Sequence, residues 1–254
     1  MLMDNQARTI EDVLNELDSI IEDSVKENNR LGIFAYIYRR TTAQIKQAIA
    51  DKRFEDNERM EKMDVTFANL YLTAYKNFFS NKTISKSWMI AFQAKNQKLT
   101  IIQHIILGMN AHINLDLGVA ASEIMPPDKI DDLKNDFILV NQILKDLINE
   151  MQYRVSRVSR TMFLLDWIGQ NEDEKIINFS IVKAREQAWN FANSLSKLSG
   201  DEKENKINSV DNFVFNLGNI IKRAPGILTR IILKIISWFE EQDVKKIITL
   251  LEEN

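Results

Sequence analysis

The stretch QHIILGMNAHINLDLGVAA, Gln103 to Ala121, decides the fold. Laid out at about 100° per residue it is apolar on every side, and a helix apolar all round is enclosed by other elements. Covering it takes several neighbours, so the expected fold is an all-α multi-helix bundle packed around a central buried helix at about 99–121. Five polar or ionisable side chains nevertheless stand between His104 and Asp116. Burying each without a partner would cost on the order of 1 to 3 kcal/mol, so partners must lie close by.

These groups fall into two sets. His112 and Asp116, four apart, share a stripe with Ile101, Ile105, Gly108 and Val119, whereas Asn110 and Asn114, also four apart, point with Gln103 to the opposite side. Gly108, one turn before His112, leaves room for a substrate, a water or another backbone. His104 lies roughly 12 Å before His112 along the helix axis and about 80° around it, so the two histidines do not grip one metal ion in a straight helix. A His and an Asp at this spacing can share a metal ion, or the Asp can orient the imidazole as in a general-base pair. Equally, the carboxylate can simply take up the imidazole hydrogen or an Arg such as Arg39 or Arg40 from a neighbouring helix. Buried amides such as Asn110 and Asn114 commonly satisfy helix backbone.

Composition narrows the function classes. Of 254 residues, 45% are apolar, enough for a sizeable core, while seven Gly and three Pro are too few turn formers for a hairpin-rich sheet. Lys and Arg total 33 against 36 Asp and Glu, a net charge of −3, so nucleic acid is not an expected partner. The absence of Cys removes disulfides, thiolate metal sites and thiol nucleophiles, and fits a reducing compartment. The start, MLMDNQARTIEDV, has early acidic residues and no apolar run, which reads against a secretory signal and for a cytoplasmic location. The apolar-rich tract from Ile220 to Phe239 is interrupted by Lys222, Arg223, Arg230 and Lys234, so no transmembrane segment is expected. That tract can dock on the core or rest on a membrane surface. No P-loop, G-x-G-x-x-G, G-x-S-x-G, H-E-x-x-H or paired E-x-x-H is present, and two histidines cannot build a three-histidine zinc site.

Apolar periodicity predicts further helices at about 10–26, 33–51, 59–79, 128–156, 161–167, 172–198, 207–223, 226–239 and 243–253, and a short one around Trp88 and Phe92. Pro126 and Pro127 stop the central helix. The polar segment 199–209 is expected to be a mobile loop, and residues 1–254 a single helical domain.

Gly108 to Leu117 reads GMNAHINLDL. This resembles a family of bacterial helical proteins of unknown function marked by a G-M-N-A-H-I-N-x-D-L signature. The likeness extends to RMEKMDVTFANLYLTAY (Arg59 to Tyr75), SWMIAF (Ser87 to Phe92), IIQH (Ile101 to His104), NDF-x3-N (Asn135 to Asn141) and AREQAW (Ala184 to Trp189). It implies an all-helical fold and carries no activity. It also directs attention to Asp64, Ala68, Tyr71 and Tyr75, which share one stripe with Asn69 on the other side. Arg185 and Trp189, four apart, can stack, an arrangement expected to be structural.

Two functional expectations follow. One is an enzyme-like domain with a buried pocket at His112 and Asp116. It would perform metal-assisted or general acid-base hydrolysis of a small or lipid-like molecule, with Asp64 as third carboxylate. A divalent metal would sit on His112, Asp116 and Asp64, and His104, Asn110, Asn114, Asn69 and Tyr71 would bind or position substrate. The other is a non-enzymatic helical binding or scaffold protein whose buried polar groups form a network that fixes helix register.

Overall fold

Several helices begin where a short polar side chain takes up their free N–H groups. In the computed structural model, which describes residues 6–159 and 181–253, Thr9 opens α1 (Ile10–Lys26) with a capping box shared with Asp12. After α2 (Leu31–Ala50), Asp56 caps α3 (Asn57–Phe79) and Ser85 caps α4 (Lys86–Phe92). Thr100 and Gln103 form a second capping box at the head of α5 (Ile101–Ala111), which fixes the start of the central helix one residue beyond Thr100. The chain then passes through a π-helical turn (His112–Asp116) into α6 (Leu117–Ile124). Met125 turns extended, with φ −108° and ψ 129°, ahead of Pro126 and Pro127.

A 3₁₀ turn (Ile130–Leu133) leads into α7 (Lys134–Val158), so the long helix expected from 128 starts later. There follow α8 (Ile181–Leu195), α9 (Gly200–Lys222), α10 (Ile227–Phe239) and α11 (Val244–Glu252). The protein is all-α, with no strand among the described residues. The helix expected at 161–167 and the first part of that at 172–198 lie outside them.

The expected loop at 199–209 is instead the N-terminal part of α9. Glu and Lys are good helix formers, and Asp201 and Glu202 in its first turn complement the helix dipole, so a polar composition here marks an exposed helix. Only Asp211, Val214 and Gly218 of α9 are buried.

Helices α2, α4 and α9 pack on α5, and α3 and α8 pack on α6, which encloses the central segment. Of α5, Ile101, Gln103 to Gly108, Asn110 and Ala111 are buried. Carboxylates distant in sequence complete several helix ends. Asp211 of α9 accepts from the Lys86 and Ser87 N–H groups at 2.8 and 2.9 Å, and Glu240 accepts from Ile101 N–H at 2.8 Å. Asp136 accepts from the N–H groups of Glu55 and Asp56 just before α3 and pairs with Arg59 at 2.7 Å. These contacts tie the C-terminal helices to the N-terminal half through otherwise orphaned backbone donors.

Candidate functional site

The π turn is what aims the site. Leu117 N–H bonds to the carbonyl of His112, five residues back, instead of four. One extra residue in the turn changes the direction of every side chain beyond it. The expected stripe therefore splits: Ile101 and Ile105 pack with α11 and α2, whereas Val119 packs with Phe191, Leu195 and Val214. His112 and Asp116 fall within the turn itself.

Their side chains meet. His112 Nδ1 lies 3.1 Å from Asp116 Oδ2, which also accepts from Trp88 Nε1–H at 2.9 Å. With the carboxylate accepting, the imidazole hydrogen sits on Nδ1 and the lone pair on Nε2. Burial pushes His112 below its ordinary value, opposed by Asp116, so the ring is neutral. Burial likewise raises Asp116, opposed by the hydrogen bonds from His112 and Trp88. Phe67 of α3 stacks on the His112 ring at 3.6 Å and 7°, and Tyr38 of α2 meets it edge-on at 4.4 Å.

His112 Nε2, Asp64 Oδ2 and the Tyr71 hydroxyl are buried without a hydrogen-bond partner in the protein, as are His104 Nε2 and Arg59 Nε, whereas the Tyr38 hydroxyl has that of Thr42 as its neighbour. Burial, and then the charge of Glu61 one turn earlier, push the Asp64 carboxyl up to about 7. Tyr38 is raised well above its ordinary value by burial first and then by Asp64 and Asp116, which places its hydroxyl in the field of both carboxylates. Burial does the same to Tyr71, whose ring lies 5.0 Å from Trp88 and 6.0 Å from His112.

His104 occupies a neighbouring position. With Arg30, Phe34, Tyr71, Trp88 and Gly108 it lines a cavity of ≈ 10 Å³, about the space of one water. Burial, and then the Arg30 charge, push His104 down to about 3, so it is neutral. Gly108 borders this cavity, but the space beside it belongs to an aromatic ring: a Cβ there would come within 2.3 to 2.7 Å of Phe34. The room expected for a substrate at Gly108 is therefore filled by Phe34.

The opposite set serves α9. Gln103 Nε2 donates to the carbonyl of Ile221 at 2.7 Å, Asn110 Nδ2 to that of Val214 at 2.9 Å, and Asn114 Nδ2 to Asn110 Oδ1 at 3.0 Å. Asn69 is also away from the site, holding both backbone groups of Ala7 at 3.0 and 2.9 Å. Among the described residues no three His, Cys, Asp or Glu side chains gather as a metal-ligand group, so His112, Asp116 and Asp64 do not form the expected metal set. Arg39 pairs with Asp18, Nη2 to Oδ2 at 2.9 Å, and not with Asp116. Arg185 lies 4.3 Å over the Phe137 ring and donates to the Phe137 carbonyl at 2.7 Å.

Trp88, Phe67 and Tyr38 are site residues that the sequence reading did not single out as such. Their only signal is that they fall on apolar faces of α4, α3 and α2, which does not distinguish them from ordinary core.

No curated protein and no solved structure matches the chain. The sequence model of a family of unknown function, DUF5995, matches residues 10–224, a span that includes every residue of this site, and the chain belongs to that family.

Proposed function

We propose that this protein is an enzyme-like domain that hydrolyses a small molecule by general acid-base chemistry at His112. The observation that carries this is unspent hydrogen-bonding capacity: His112 Nε2, Asp64 Oδ2 and Tyr71 Oη are buried without protein partners. A network that served only to fix helix register would use its polar groups, since leaving one unpaired costs about 1 to 3 kcal/mol.

In this reading His112 Nε2 accepts a proton from an attacking water while Asp116, held by Trp88, supports the imidazolium that forms. The Tyr38 and Tyr71 hydroxyls, protonated at all physiological pH, donate to the developing oxyanion. Asp64, with its carboxyl near 7, returns a proton to the leaving group. Phe67 is half-buried and stacked on the His112 ring, so it covers one face of the imidazole.

The probe is p-nitrophenyl acetate, an activated ester with a small acyl group. Wild type is compared with His112→Gln, with circular dichroism confirming that the variant is folded. The expected loss is on the order of a hundred-fold in kcat/KM, the contribution of a positioned base. Equal rates for the two proteins overturn the proposal. They would favour the scaffold reading, whose support is the closed amide chain from Asn114 through Asn110 to Val214.

A further inference from the structure

Helix α10 is apolar on two sides. Thr229, Ile232, Leu233, Ile236 and Ser237 are buried. On the other side Ile227, Ile231 and Trp238 form one stripe, exposed by 72%, 50% and 62%, with Leu228 and Phe239 beside them. Five large apolar side chains on one outward arc of a single helix are more than the scattered exposure normal for a protein surface.

The charges on this tract have one sign. Lys222, Arg223, Arg230 and Lys234 stand between Ile220 and Phe239 without any acidic residue, in a chain whose net charge is −3. Arg230 and Lys234 are exposed and border the apolar stripe, and the Lys234 ammonium lies 5.3 Å from the centre of the Trp238 ring. Apart from the Trp238 indole N–H, the polar groups on this arc are the two cations. An apolar stripe edged by cations, with Trp and Phe at its end, has the chemistry of the boundary between acyl chains and anionic headgroups.

We propose that α10 docks this protein on the surface of an anionic lipid bilayer. The helix lies along the surface: thirteen residues span about 20 Å. Among the described residues no helix is long and apolar enough to cross a membrane. Ile227, Ile231 and Trp238 enter the acyl boundary, and Arg230 and Lys234 reach the phosphates. The inference is independent of the chemistry at His112, which no residue of α10 joins.

Flotation of the full chain with phosphatidylcholine vesicles, with and without phosphatidylglycerol, tests it. Binding is expected only to the phosphatidylglycerol vesicles, with a blue shift of tryptophan emission that Trp238→Phe removes. Combining Arg230→Gln and Lys234→Gln is expected to weaken partitioning about thirty-fold, and Ile231→Asp to abolish it while circular dichroism is unchanged. The proposal is overturned if phosphatidylglycerol vesicles do not bind the protein, or if the double Gln variant partitions as strongly as wild type. A wild-type dimer that Ile231→Asp renders monomeric, without vesicle binding, also overturns it and assigns the face to a second copy of the chain.

Discussion

Replacing Asp64 by Asn preserves size and removes ionisation, and so isolates what burial does to this carboxyl. Its ordinary value is 3.8, whereas the folded protein holds it at about 7, through burial first and Glu61 second. Between those values the native state keeps a proton that the unfolded state has released, so rising pH favours unfolding, and above about 7 the loss is complete. The full displacement corresponds to about 4 kcal/mol. Asp64→Asn escapes it. Its advantage over wild type should be about 1 kcal/mol or less near pH 4.5 and grow to about 4 kcal/mol by pH 8.

The comparison must be a difference, because His104 tilts the profile the other way. Burial and Arg30 take its imidazole from 6.5 down to about 3. Between those values it is the unfolded state that holds the extra proton, so stability is lost as pH falls. The two slopes oppose each other from about pH 4 to 6.5, which leaves their combined effect on wild type nearly flat there. Urea unfolding of both proteins, followed by circular dichroism from pH 4.5 to 8, reads the effect directly. A wild-type to Asp64→Asn difference that is constant across this range refutes the assignment of a raised carboxyl to Asp64.

Three other substitutions probe the same region. Trp88→Phe removes one of the two N–H donors to Asp116 and should lower the unfolding free energy by about 1.5 to 3 kcal/mol; an unchanged urea midpoint would mean that the indole bond is not formed. Gly108→Ala drives a methyl into the Phe34 ring and should cost about 1 to 3 kcal/mol, partly recovered when Phe34→Leu is added. Failure of that recovery in a double-mutant cycle would place the strain elsewhere. Phe67→Ala uncovers one face of the imidazole, so diethyl pyrocarbonate should modify His112 about ten times faster than in wild type, as read by peptide mass spectrometry. Equal rates would show that access to Nε2 does not run past Phe67.

The helical class and the extent of α1 are legible from periodicity and capping residues alone, because both are local properties of the chain. The division of polar groups into two sets is also legible, since Gln103, Asn110 and His112 keep their α-helical directions up to the π turn. Beyond it the wheel fails: a constant 100° per residue puts Val119 on the His112 stripe, and the extra residue in the turn carries it to α8 and α9. The partners of the site were not legible either. Trp88, Phe67 and Tyr38 reach His112 only because α2, α3 and α4 converge on the central segment, and no pattern within one helix encodes that convergence. The segment 199–209 is hard to read for a different reason, since a polar stretch has the composition of a loop and here marks the solvent face of α9.

The two polar sets differ in a way that bears on why they are there. The amide set closes on itself: Gln103 and Asn110 donate to α9 carbonyls, and Asn114 donates to Asn110. Such bonds hold α9 against α5 and need nothing else. The other set begins the same way, Trp88 to Asp116 to His112, and then stops at Nε2, with Asp64 Oδ2 and the Tyr71 hydroxyl also unpartnered. For architecture alone, an apolar side chain of similar volume at position 64 would serve better. The carboxyl there opposes folding by about 4 kcal/mol above neutral pH, a large share of the 5 to 15 kcal/mol that typically holds a domain together. A buried acid kept at such a cost, titrating near neutrality with one oxygen unpartnered, is accounted for if its proton is used.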